Sequence, residues 1–88
     1  MYNYCMLIGT VVQKEMKDNE TIIYLSVQKP FKNEKGEYSK DIFPIYCYNF
    51  LNEVISEKLL KGSKVGIKGR LEKNEQNVKI IAEKIMFV

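Results

Sequence analysis

Histidine and tryptophan are absent from this 88-residue sequence, and cysteine and proline occur only twice each. Without histidine no Ser-His-Asp or Cys-His pair can form, and Ser26, Ser39, Ser56 and Ser63 have no other base at a suggestive spacing. Cys5 and Cys47 cannot complete a four-ligand zinc site within one chain. They read as two small apolar side chains in strands rather than as a disulfide. No glycine-rich phosphate loop is present, and the carboxylates are scattered singly among lysines, as solvated surface charge is. Catalysis, a metal and a cofactor are therefore not expected. No apolar run reaches membrane-spanning length, and residues 1–4 lack the charged start of a signal peptide. The expected compartment is the cytoplasm, with no membrane partner.

What is present is an ordinary globular composition, 45% hydrophobic and 28% charged. The length suits one domain over residues 1–88. A chain this short hides only ~60% of its unfolded surface, which leaves a marginal core and favours self-association. The net charge of +3 is modest, so an anion site has to arise from local clustering rather than from the overall field.

Alternation and turn formers divide the chain into five strands and one helix. Residues 4–12 read as a first strand with a bulge or bend at Gly9. It is apolar on both faces, with Cys5 and Leu7 on one and Tyr4, Met6 and Ile8 on the other. Another subunit or a helix would cover the second face. A charged loop over 13–20 leads to a second strand, 21–27, with Ile23, Leu25 and Val27 on one side. Residues 28–40 hold four lysines, two aromatics and several turn formers, and read as a long basic loop. The third strand, 42–48, sends Phe43, Ile45 and Cys47 one way and Ile42, Pro44, Tyr46 and Tyr48 the other. Pro44 cannot donate to a ladder and needs an edge or bulge.

Leu51, Val54, Ile55 and Leu59 then share one helical stripe, between a candidate N-cap at Asn49 and a helix-ending Gly62. Residues 63–72 alternate most cleanly, with Val65, Ile67, Gly69 and Leu71 opposite Lys64, Gly66, Lys68 and Arg70. The last strand, 78–88, is apolar on both parities, and a bulge that switches faces would explain it. The order β-β-β-α-β-β is that of the OB-fold, an all-β, five-stranded Greek-key barrel with one short helix between strands three and four.

Lysines and aromatics held together at a sheet edge suit a polymer that is anionic along its backbone and flat along its bases. Phe31, beside Lys29, Lys32 and Lys35, is either a stacking platform flanked by phosphate contacts or a ring folded back on its own loop. Tyr46 and Tyr48 share the outward parity of the third strand and serve either stacking or subunit packing. Lys64, Lys68 and Arg70 form an electrostatic track with no acid on that face before Glu72. Lys58 and Lys61 are either solvated helix-end charges or ligands. Gly66-Ile67-Lys68-Gly69 has the Gly-x-x-Gly form of KH domains, but inside a strand pattern it marks a barrel bend. The helix, capped and core-facing, is not built to enter a major groove. Single strands are the expected ligand rather than duplex.

Several of these stretches resemble the bacterial single-stranded-DNA-binding protein family (SSB). Tyr4-Cys5-Met6-Leu7-Ile8-Gly9 is similar to the family's opening strand. Leu25-Ser26-Val27-Gln28-Lys29-Pro30-Phe31 is similar to its second strand and aromatic loop. Leu60-Lys61-Gly62-Ser63-Lys64-Val65 and Lys68-Gly69-Arg70-Leu71 are close to its helix end and fourth strand. The resemblance implies sequence-tolerant binding of single-stranded DNA in replication, repair or recombination, usually as a homotetramer. It implies that Phe31 and Tyr48 stack on bases and that Lys61 and Arg70 lie near DNA. A third stacking position falls on Ile42, beside Phe43. The family's long hairpin between strands four and five is cut to a few residues around Glu75, which implies a smaller footprint. Its acidic C-terminal tail has no counterpart before Val88, which implies a form without the tail's recruiting role. Two alternatives stay open: a dimeric, primosome-type OB-fold interaction protein with secondary DNA binding, and an RNA-binding OB module resting on the same aromatics.

Overall fold

The computed structural model describes residues 2–17, 20–48 and 59–88. Most of them lie in β1 (Cys5–Lys17), β2 (Glu20–Lys32), β3 (Tyr38–Tyr48), β4 (Lys64–Lys73) and β5 (Val78–Phe87). The strands close into a barrel in the order β1-β2-β3-β5-β4. Every ladder is antiparallel except that between β3 and β5. Closure removes the free edges that would otherwise recruit other chains. The all-β, five-stranded expectation is met. The helix expected over Asn49, Leu51, Val54 and Ile55 lies outside the described residues.

The inward rows of the alternation supply the core. Val11, Ile23, Leu25, Ile45, Cys47, Val65, Ile67 and Ala82 meet in one buried cluster with Leu59. Full burial of each large aliphatic side chain contributes ~1.5–3 kcal/mol. Leu59 is the member of the helical stripe that falls within the described residues, and it is fully buried. Burial pushes the Cys47 thiol up to about 12, so it is a neutral core group. Cys5 is likewise a free thiol.

β1 changes partner in mid-course. Residues 5–10 pair with β4 and residues 10–17 with β2. At the handover a Cβ on Gly9 would run into the carbonyl of Ser26, so glycine is required there for space. The bulge in this strand is at Val12 rather than at Gly9, between the Val11–Leu25 and Gln13–Tyr24 pairs. Gly69 likewise lies against the carbonyl of Ile81, whereas a Cβ on Gly66 would meet only ordinary side-chain contacts. The close bend of β4 is therefore at Gly69 alone. Beside it β5 carries a bulge at Glu83. That bulge switches the inward row from Ile80 and Ala82 to Ile85, which accounts for apolar residues on both parities.

Two expected loops prove to be largely strand. β1 runs on through residues 13–17, and the β2–β3 ladder runs through much of residues 28–40. The β2–β3 hairpin continues past the barrel wall, where an exposed ladder has no core to cover, so polar residues suffice and the alternation fades. Residues 13–17 stay on the barrel beside the buried Thr21, Ile22 and Ile23 of β2, but their own side chains are mostly polar. Lys14 donates to the Leu59 carbonyl, and Glu15 accepts from the Tyr24 hydroxyl. Leu71, expected to face inward, is 46% exposed, because it stands near the end of the β4–β5 hairpin, opposite Ile80.

Candidate nucleic-acid interface

The β2–β3 hairpin forms an arm. Pairing is regular from Glu20 opposite Tyr48 to Gln28 opposite Lys40, and resumes with Lys32 opposite Tyr38. Residues 29–31 thus face Ser39 alone, in a bulge that accommodates Pro30, which has no N–H for a ladder. Asn33 organises the tip: its side-chain oxygen accepts from the N–H groups of Lys35 (2.9 Å) and Glu37 (3.0 Å). Its own N–H donates to the Glu37 carbonyl at 2.7 Å. Gly36, at φ 76°, takes the left-handed conformation that other residues resist. The segment read as a basic loop is a built arm with a five-residue tip.

Phe31 stands on this arm and is 69% exposed, so its ring is not folded into the barrel. The Lys32 ammonium lies 5.8 Å from the ring centroid of Tyr38, its cross-strand partner, within cation–π range. Lys29 pairs with Asp41 at 3.7 Å, and Lys35 is exposed at the tip. Tyr38 is an exposed ring that the sequence reading did not assign. The available signal was its place in the same polar segment as Phe31.

The outward row of β3 continues from the arm through Lys40, Ile42 and Pro44 to Tyr46 and Tyr48, and its lower end differs. Tyr46 and Tyr48 are half-buried rather than open. Tyr46 lies in line with Ile22 and Ile81, both buried although they point outward, and Lys79 Nζ sits 4.5 Å from its centroid. Burial, then a hydrogen bond to Glu20, then the charges of Glu20 and Glu72 push the Tyr48 phenol up to about 12. Tyr24 donates to Glu15 at 3.1 Å, and that bond raises its pKa as well.

On β4, Arg70 is shared between Glu72 at 3.5 Å and Glu83 at 3.4 Å. The track expected to be free of acid is answered from the neighbouring strand, which no single-strand pattern can show. Lys68 is exposed, its Nζ 5.7 Å from the centroid of Tyr4. Lys61 is exposed in the turn 60–63, where Gly62, at φ 96°, donates its N–H to the Val11 carbonyl at 2.7 Å. The fold therefore gathers Lys29, Phe31, Lys32 and Lys35 on the arm. It sets Tyr48 and Arg70 among carboxylates and Tyr46 under Lys79, and leaves Lys61 in a turn of its own. Among the described residues no group of three or more metal-ligating side chains occurs, and no helix is long and apolar enough to cross a membrane.

The model of the single-strand binding protein family matches residues 2–87. The chain belongs to this family. Binding of single-stranded DNA is the activity that goes with membership, and single-stranded DNA is the partner. The SSB of Plasmodium falciparum, solved in complex with ssDNA, superposes with a TM-score of 0.78 at 21% identity, covering 100% of this chain and 96% of that one. A small single-stranded-DNA-binding protein of Mycoplasma pneumoniae gives 0.76 at 19% identity, covering 98% and 93%. Its counterpart from Streptomyces coelicolor gives 0.72 at 16% identity, covering 100% and 95%. At such identities the likeness establishes the fold, an OB barrel. No curated protein sequence matches the chain.

Proposed function

We propose that residues 1–88 act as one non-enzymatic, cytoplasmic domain that coats single-stranded DNA without sequence preference, in replication, repair or recombination. One observation carries the mode of binding: the Phe31 ring stands in solvent on an ordered arm, close in sequence to Lys29, Lys32 and Lys35. A base stacked on an aromatic ring contributes ~1–3 kcal/mol and any base will serve. The arm lysines and Lys68 neutralise phosphates. Tyr46, Tyr48, Lys61 and Arg70 complete the interface with smaller shares, because Tyr48 is half covered beside Glu20 and Arg70 already serves two carboxylates.

The domain works as a homo-oligomer, a tetramer in this reading, with a dimer as the alternative. Tyr4, Met6 and Ile8 form an exposed apolar strip along the outer row of β1, and a small barrel gains by covering such a strip with a second copy. Molecular mass in solution tests this. A dimer favours the interaction-protein alternative, and a monomer at working concentration rejects both assemblies.

The experiment for the function is titration with single- and double-stranded oligonucleotides of increasing length, followed by tyrosine fluorescence. Saturable binding to single strands is expected, with log K falling against log salt by ~0.7 per phosphate contact. A preference for duplex, or a flat salt response, defeats the reading.

A further inference from the structure

Where β1 passes from β4 to β2, four neighbouring strands place residues in one transverse row. Lys64 lies opposite Thr10, Thr10 opposite Ser26, and Ser26 opposite Ile42. All four belong to the outer face. Adjacent strands are ~4.8 Å apart, so the row spans about 14 Å from Lys64 to Ile42. Its middle is low, because the side chains of Thr10 and Ser26 are short. The result is a cleft of about 290 Å3, with Ile8 and Gln28 at its sides and Lys40 and Lys64 among its lining. That volume is just below the ~300 Å3 at which small-molecule sites begin, and suits one sugar–phosphate unit.

The chemistry of the lining is one-sided. No carboxylate contributes to it, although the cleft beside Tyr4 and Lys68 includes Glu83. Among the described residues neither Lys40 nor Lys64 has an ion-pair partner. Thr10, Ser26 and Gln28 add neutral hydrogen-bond donors. Two unpaired ammonium groups with hydroxyl and amide donors between them suit a phosphodiester, whose contacts position a strand without reading its sequence.

Location gives the cleft its role. Lys40 is at the root of the arm, opposite Gln28. Lys64 begins β4 on the same outer face as Lys68. We propose that this cleft is a backbone subsite linking the arm to β4. The strand that stacks on Phe31 leaves the arm past Lys40 and lays a phosphodiester over Thr10 and Ser26 beside Lys64. The inference rests on the single-stranded-DNA-binding reading and adds a path to it. The other route, straight down β3 to Tyr48, brings phosphates against Glu20 and Glu72.

Lys40→Ala, Lys64→Ala and the double variant of the full chain test the path through the salt dependence of binding to short and long oligo-dT. Both lysines are exposed, so unchanged melting is the check on folding, and Lys73→Ala, outside the cleft, is the control. Each cleft variant is expected to reduce the steepness of log K against log salt by ~0.7. The double variant is also expected to lose the affinity gained on lengthening the oligonucleotide. Slopes no different from that of Lys73→Ala overturn the subsite. If Phe31→Ala still weakens binding in that case, the arm stands and only the path falls. If the unmodified protein does not bind single strands, the functional reading and the path fall together.

Discussion

The two ends of the outward row on β3 carry aromatic rings in opposite settings. At the arm, Tyr38 faces Lys32, and Phe31 projects nearby in the company of lysines. At the barrel end, Tyr46 and Tyr48 are half-buried, with Glu20 and Glu72 acting on Tyr48. Strand parity places both ends on the surface and so makes them look equivalent. Exposure and local charge separate them: a platform for nucleic acid needs an open ring and a cationic border, and only the arm has both.

The sharpest way to break this contrast is to truncate one ring from each end. Phe31→Ala is expected to weaken binding to oligo-dT by ~1–3 kcal/mol, with melting unchanged because the ring covers no core. Tyr48→Ala should cost less affinity and lower the melting temperature, since it removes a half-buried, hydrogen-bonded phenol. Equal losses of affinity would erase the distinction.

Alkaline pH probes the barrel end when the unmodified protein is compared with Tyr48→Phe. The folded state holds the Tyr48 proton more tightly than the unfolded chain does, with a pKa raised from 10.0 to about 12. The stabilisation is therefore whole below pH 10 and disappears between pH 10 and 12. Urea midpoints measured across that window should fall less for Tyr48→Phe than for the unmodified protein. Parallel curves would show that the phenol is not held as described.

A smaller effect is expected from the carboxylates. Glu20→Gln combined with Glu72→Gln should strengthen binding at low salt by up to ~1 kcal/mol, the scale of exposed charge interactions, and the gain should vanish at high salt. No gain at low salt means that the strand passes far from that end. The finest comparison is between cations. Lys32→Ala should reduce the steepness of log K against log salt by ~0.7, and Arg70→Ala by clearly less, because Glu72 and Glu83 already compensate its charge.

Much of this protein was legible residue by residue. The inward rows on β2 and β3, the buried Leu59 and the face switch in the last strand all follow from local pattern. So does Phe31 as an open ring among lysines. Side-chain burial repeats along a strand with a period of two, and the sequence records that period wherever a core must be covered. The pattern fails where the ladder leaves the barrel. Residues 28–40 read as a loop because an unburied ladder makes no demand on side-chain polarity, and residues 13–17 because the buried side chains of that ladder sit on their partners Thr21, Ile22 and Ile23.

Tertiary structure alone decided the electrical setting of each candidate. Glu83 reaches Arg70 from another strand, and Glu20 meets Tyr48 across the ladder. Lys40 and Lys64 line one cleft only because β1 hands over between two partners there. Charge acts through space over a few ångströms, and barrel closure brings together residues that the chain keeps tens of positions apart. Composition and alternation therefore pointed to a small barrel with rings and lysines suited to a single-stranded nucleic acid, and closure of the barrel decided which of those rings and cations are free to meet it.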